Sequence, residues 1–207
     1  LLNGAHTSTV LAAYLMGRDT VGECMADPDI RKYMEETVYR EISPTVPLPA
    51  DEVKAFADSV FERFEHPFIR HALLSISLNS VSKWKSRILP SLLDSLTGTG
   101  RLPKCLTFSF AALLAFYTVQ KQPDGSYAGA RPDGTAYPVQ DDLPALEFFA
   151  EHSAKPTGEY ARVAAANAAF WGRDLSGIPG FAELAAKYLK QIRTFGPREA
   201  MKKLFEE

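Results

Sequence analysis

The sequence has no G-x-G-x-x-G turn, no H-E-x-x-H, no C-x-x-C and no G-x-S-x-G. The first absence removes a dinucleotide cradle built by this chain itself, because the phosphate-binding turn needs those glycines after a strand. The next two remove the common zinc-binding spacings, and the last removes the exposed serine of a nucleophile elbow. Charge of one sign is also lacking: a net charge of -2 with pI near 6.1 gives no basic surface for nucleic acid. Two cysteines, Cys24 and Cys105, without partner spacing, read as free thiols in a reducing compartment. The apolar stretch Cys105–Gln120 is bracketed by Lys104 and Lys121 and is shorter than the roughly 20 residues a bilayer needs. No charged-then-apolar leader opens the chain. These features point to a soluble, cytoplasmic protein. No run of β-branched residues alternates with helical segments, so a βαβ architecture is not expected either.

What is present is helical periodicity. In "DEVKAFADSVFERFEH", Val53, Phe56, Ala57, Val60, Phe61 and Phe64 form one apolar stripe. "DPDI" predicts a helix capped by Asp27, opened by Pro28 and running to about Arg40. "HPFIRHALLSIS" predicts a helix from about Phe68 that becomes less regular in "LNSVSKWKSR", and Pro90 then opens a helix that ends near Gly98–Gly100. "PKCLTFSFAALLAFYTVQK" is apolar nearly all round and should be the buried central helix. Two "PDG" turns within residues 121–142 predict a loop or a β-hairpin. Helices over roughly 157–171, 178–195 and 197–206 close the chain, with Gly196 and Pro197 marking one stop and the next start. The expected fold is all-α, a single helical domain over residues 1–207 with one irregular excursion.

Candidate chemistry is sparse. The four histidines, His6, His66, His71 and His152, show no metal-ligand spacing, and His66 and His71 flank Pro67 off a common helix face. The Asp141–Asp142 pair reads as acidic residues in the first turn of the helix through Phe148, favoured by its dipole. In "SKWKSR", Lys83, Lys85 and Arg87 surround Trp84: either a solvated basic turn or a cradle for an anionic substrate. The opening "LLNGAH" puts Asn3 and His6 one helical turn apart on one face, about 300° around the axis, ahead of small and apolar residues that end at Gly17. A polar pair leading a buried helix resembles the lining of a substrate pocket, but it has no base, cofactor or oxyanion partner of its own.

"LLNGAHTSTVLAAYLMGRDTVGECMAD" closely resembles the signature of the polyol-specific long-chain dehydrogenases, the mannitol dehydrogenase family. That signature is a lysine, four residues, an asparagine, two residues and a histidine, and Asn3 and His6 match its second and third members. The lysine would fall three residues before Leu1. "DTVGECMADPDI", "HPFIRHALLSISLNSVSKWKSRILPSL", "LTFSFAALLAFY" and "YPVQDD" look most like the uronate-specific branch, while the residues between Lys121 and Ala136 look like a local insertion. The resemblance implies an all-helical C-terminal substrate domain, like those of mannitol dehydrogenase and 6-phosphogluconate dehydrogenase. Its partner is the protein's own N-terminal Rossmann domain, which carries NAD. The implied reaction interconverts D-tagaturonate and D-altronate without a metal, and 1–207 alone is expected to be inactive. Fructuronate reduction, a mannitol-type reaction and a non-catalytic helical binding module are the alternatives. By match, Asn3 would stabilise charge on the carbonyl oxygen and His6 would hydrogen-bond the substrate. Lys83, in a serine–lysine pair like the family's own, and then Arg87 would meet the uronate carboxylate. The basic residues that the polyol enzymes carry on a later helix have no counterpart in "FAALLAFYTV".

Overall fold

The computed structural model describes residues 1–66 and 70–206. The chain opens with α1 (Leu2–Leu15), α2 (Val21–Ala26) and α3 (Pro28–Glu36), which continues through a π-helical turn (Thr37–Ile42) and a 3-10 turn (Ser43–Thr45). Next come α4 (Ala50–Glu65), α5 (Leu73–Ile76), α6 (Ser80–Arg87), α7 (Leu89–Thr99) and α8 (Lys104–Phe116). After β1 (Gln120–Lys121), β2 (Tyr127–Ala130) and β3 (Ala136–Pro138) follow α9 (Leu143–His152), α10 (Thr157–Ala166) and α11 (Ala168–Trp171). A 3-10 turn (Leu175–Gly177), α12 (Phe181–Phe195) and α13 (Pro197–Lys203) complete it.

As its composition demands, α8 is the core. Every residue from Cys105 to Leu114 is buried, and α1 and α12 pack on it. Its first N–H groups have no side-chain cap of their own. The Glu41 carboxylate, delivered by the π turn, accepts from the N–H groups of Cys105 and Leu106 at 2.9 and 2.8 Å. An anion there satisfies orphan donors and suits the helix dipole. Tyr33 Oη donates to the carbonyls of Ser8 and Cys105 at 3.1 and 2.8 Å, tying α1 to α8. Both cysteines are free and buried.

The excursion after α8 is a three-stranded antiparallel sheet in the order β1-β2-β3, with Gln120 opposite Ala128 and Gly129 opposite Tyr137. At each "PDG", the aspartate Oδ1 accepts an N–H two residues on, from Ser126 or Thr135, and the glycine takes positive φ. Arg131 pins the sheet to the C-terminal end of α1. Its Nε donates to the Tyr14 carbonyl at 2.8 Å, and its guanidinium lies 3.7 Å from the centre of the Tyr14 ring.

Several expectations need correction. Phe68, the expected helix start, lies outside the described residues. Ala72 is extended and bridges Thr20, while Val21 N–H donates to the His71 carbonyl and Leu73 N–H to the Asp19 carbonyl. Those cross-chain bonds take the groups a helix would use, so α5 begins only at Leu73. "SVSKWKSR" is regular: it is α6, with Ser80, Val81 and Trp84 buried. Asn167 separates α10 from α11, α12 begins at Phe181, and α13 ends at Lys203. Asp142 precedes α9 as its N-cap residue without a side-chain bond, and Asp141 reaches elsewhere.

Among the described residues, no helix is long and apolar enough to cross a membrane.

Candidate active site

At the leading end of α1, residue 4 is a buried glycine packed against the π turn. A Cβ at Gly4 would come within 3.1 Å of Ile42 Cδ1 and 3.9 Å of the Arg87 carbonyl. Asn3 and His6 flank this contact, Asn3 exposed and His6 half-buried. The His6 ring stacks on Phe64 of α4, with centroids 4.4 Å apart and planes at 20°. His71 meets it edge-on at 6.4 Å. His6 Nε2 is buried and has no hydrogen-bond partner among the described residues. A buried polar atom in that condition is costly unless something supplied from outside completes it.

The second half of the site comes from α6. Trp84 anchors that helix: its Nε1 donates to Ser109 Oγ at 3.0 Å, and its ring packs against Phe110 and Trp171. With Trp84 turned inward, Lys83 and Arg87 lie half-buried, four apart on one face. Lys83 Nζ donates to the Ile76 carbonyl at 2.8 Å, and Arg87 Nη1 reaches Thr7 Oγ1 at 3.5 Å, which brings α6 to α1. Neither cation forms an ion pair among the described residues.

Burial, then the nearby His71, Arg87 and Lys83 charges, lower the His6 pKa from 6.5 to about 4. Burial, then Arg87, also lowers that of Lys83, while Asp141 opposes them. His6 is therefore a neutral imidazole at ordinary pH, able to donate from one nitrogen and accept at the other. A titration of the His6 ring by NMR should show no protonation between pH 8 and pH 5; a midpoint near 6.5 would mean the ring is solvated. The sign for stability follows from the lowered value. His6 contributes fully above its unfolded pKa of about 6.5, and that contribution is lost as pH falls towards 4.

The four residues singled out from the sequence thus gather at one corner, with Asn3 and His6 on α1 and Lys83 and Arg87 on α6. Sequence reasoning missed His71, Phe64 and Thr7. Phe64 was visible only as part of an apolar stripe, and His71 comes beside His6 only because residues 71–73 pair with 19–21. A separate open cleft of about 790 Å³ lies at the other end of α1, lined by Leu15, Val119, Ala130, Ile192 and Arg193 among others. None of Asn3, His6, Lys83 and Arg87 lines it, and among the described residues Arg193 is its one charged lining residue. No group of three or more His, Cys, Asp or Glu side chains among the described residues could hold a metal ion.

The family model for the mannitol dehydrogenase C-terminal domain matches residues 1–193. Altronate oxidoreductase of Escherichia coli K12 is 41% identical over 210 aligned positions, covering 99% of this chain and 41% of that protein. The same protein of Shigella flexneri matches with the same identity and coverage. The chain therefore spans about two-fifths of the length of these relatives. Among solved structures, Pseudomonas fluorescens mannitol 2-dehydrogenase, as a ternary complex with NAD and D-mannitol, superimposes with a TM-score of 0.86 at 21% identity. That match covers 100% of this chain and 39% of that one. A substrate-free D-sorbitol dehydrogenase gives 0.76 at 16% identity, covering 97% and 39%. At these identities the likeness establishes the fold.

Proposed function

We propose, on the premise that this chain belongs to the mannitol dehydrogenase C-terminal domain family, that residues 1–207 form the substrate domain of an NAD-dependent uronate reductase. The substrate pair is D-tagaturonate and D-altronate, as the identity to altronate oxidoreductases suggests. The sequence has no G-x-G-x-x-G turn, so NAD is assigned to a separate Rossmann domain and no residue here is assigned to it. When bound, NADH supplies the hydride. The residues of this chain bind and orient the keto acid.

Asn3, exposed at the start of α1, donates an amide N–H to the carbonyl oxygen as negative charge develops on it. His6, neutral and open at Nε2, hydrogen-bonds a neighbouring substrate hydroxyl and fixes the direction from which the carbonyl is presented. Lys83 and Arg87 hold the carboxylate at the far end. Proton transfer is assigned to none of the residues described here.

One observation favours a uronate over an uncharged polyol: two half-buried cations next to His6 have no carboxylate partner among the described residues. Cations in that state are stabilised by an anion brought by the ligand. In the full-length protein assayed by NADH oxidation, Lys83→Ala should act mainly on KM, raising it for tagaturonate at least about 10-fold. That is the scale of a lost charge-assisted hydrogen bond. An unchanged KM would remove Lys83 from the substrate site.

A further inference from the structure

The turn that leads into α6 is fixed from outside. Asn79, at φ 54°, is the one non-glycine residue with left-handed backbone among the described residues. Its N–H donates to the Gln140 carbonyl at 3.1 Å. The next N–H, of Ser80, donates to Tyr117 Oη at 3.2 Å, and that of Val81 to Asp141 Oδ2 at 3.2 Å. Tyr117 Oη in turn donates to the same Asp141 oxygen at 2.5 Å. Three consecutive donors at the start of α6, which the helix itself cannot satisfy, are thus met by the end of α8 and the segment between β3 and α9. A carboxylate at that end also suits the helix dipole.

Asp141 lies near enough to act on the Lys83 charge, yet both of its oxygens are committed elsewhere. Oδ2 takes Tyr117 and Val81, and Oδ1 accepts the Asp142 N–H at 2.7 Å. Lys83 Nζ reaches instead across the turn to the Ile76 carbonyl. A free aspartate beside a lysine would neutralise it; this one is held so that it anchors the helix and leaves the ammonium available. Asparagine takes left-handed backbone more readily than most residues, and here these bonds on its own N–H and on the two that follow hold the turn in place.

We infer that the Asp141–Tyr117 pair positions Lys83: it sets the first turn of α6 and so the place at which the Lys83 ammonium stands for an anionic substrate. This rests on the reading of Lys83 as a carboxylate contact. Tyr117 and Asp141 touch no substrate in this scheme and act only through α6.

The test is a kinetic cycle in the full-length protein with Tyr117→Phe, Lys83→Ala and the double variant, assayed with NADH and tagaturonate. Tyr117→Phe removes one hydroxyl and keeps the ring. The expected result is a roughly 5-fold rise in KM with kcat within twofold, and no further rise when the change is made on the Lys83→Ala background. Asp141→Asn, which keeps an acceptor for Val81 N–H, should raise KM less than Asp141→Ala. An unchanged KM in Tyr117→Phe would overturn the inference, and so would an equal rise with and without Lys83. If Lys83→Ala itself leaves KM unaltered, the substrate reading fails rather than the positioning. A crystal structure of Tyr117→Phe then decides: Lys83 displaced from the Ile76 carbonyl upholds the positioning, and Lys83 in place refutes it.

Discussion

Asn3→Ala in the full-length protein is expected to lower kcat by about 10²–10³-fold, the usual loss when one donor to a developing oxyanion is removed. KM for the keto acid should change little, because the amide N–H is used most when the oxygen carries charge. Asn3→Asp should be no better, since an ionised carboxylate accepts and cannot donate. The folded state should scarcely notice either change, because the side chain is exposed at a helix end. A large kinetic loss with an unmoved melting temperature therefore separates a catalytic asparagine from a structural one. If kcat falls less than threefold, Asn3 does not face the reacting carbonyl.

The second large effect is on stability. Asp27 carries a fully buried carboxylate, its side chain 1% exposed, between two arginines. Arg18 donates Nη2 at 2.8 Å from the segment after α1, and Arg198 of α13 donates Nη2 at 2.6 Å. The same carboxylate caps α3 through the N–H groups of Asp29 and Ile30. Removing the carboxylate takes away the α3 cap and the charge-assisted hydrogen bonds of two arginines that are themselves about a third exposed, at a cost of about 3 kcal/mol. Asp27→Ala should therefore lower Tm by roughly 10 °C in a domain of this size. Asp27→Asn, which keeps the cap acceptor, should recover about 1 kcal/mol of that. Hydrogen bonding from Arg198, ahead of Arg18 and the Ile30 N–H, holds the carboxyl well below the usual range. A lowered carboxyl pKa stabilises the fold above its unfolded value of about 3.9, and the contribution goes only as pH falls below that towards the folded value. Thermal unfolding from pH 7 to pH 3 should show the wild type losing this difference over Asp27→Ala only at the acid end. A difference that has vanished by pH 5 would contradict the clamp.

Local pattern carried much of the fold. The stripe from Val53 to Phe64 is the buried face of α4 except at Phe56, which stays exposed; the all-apolar run is α8, and Pro28, Pro90 and Gly196–Pro197 sit at the helix ends they foretold. Those features are written within a few residues of one another. What sequence reading lacked are pairings between distant segments. The bridge of Ala72 to Thr20 replaces a turn of helix with extended chain, and nothing in the period of "HPFIRHALL" records it. The role of Asp141 was hidden in the same way: a dipole argument put it in the turn that follows it, whereas its partners are Tyr117 and Val81. In the site, Asn3 and His6 were legible because one helix turn joins them. Lys83 and Arg87 were legible as a basic pair, and their approach to α1 needed the burial of Trp84. His71 joins them through backbone pairing alone.

On the proposed function, this corner holds a carboxylate-bearing keto sugar. A comparison of kcat/KM of the full-length protein for D-tagaturonate and for D-tagatose, with NADH in both cases, separates the two kinds of substrate. Tagatose carries a hydroxymethyl group where the uronate carries its carboxylate. Two charge-assisted contacts of ordinary strength predict a preference for the uronate of at least about 100-fold, collapsing when Lys83 and Arg87 are both changed to alanine. Equal rates for the two substrates, or a preference that survives the double change, would contradict it.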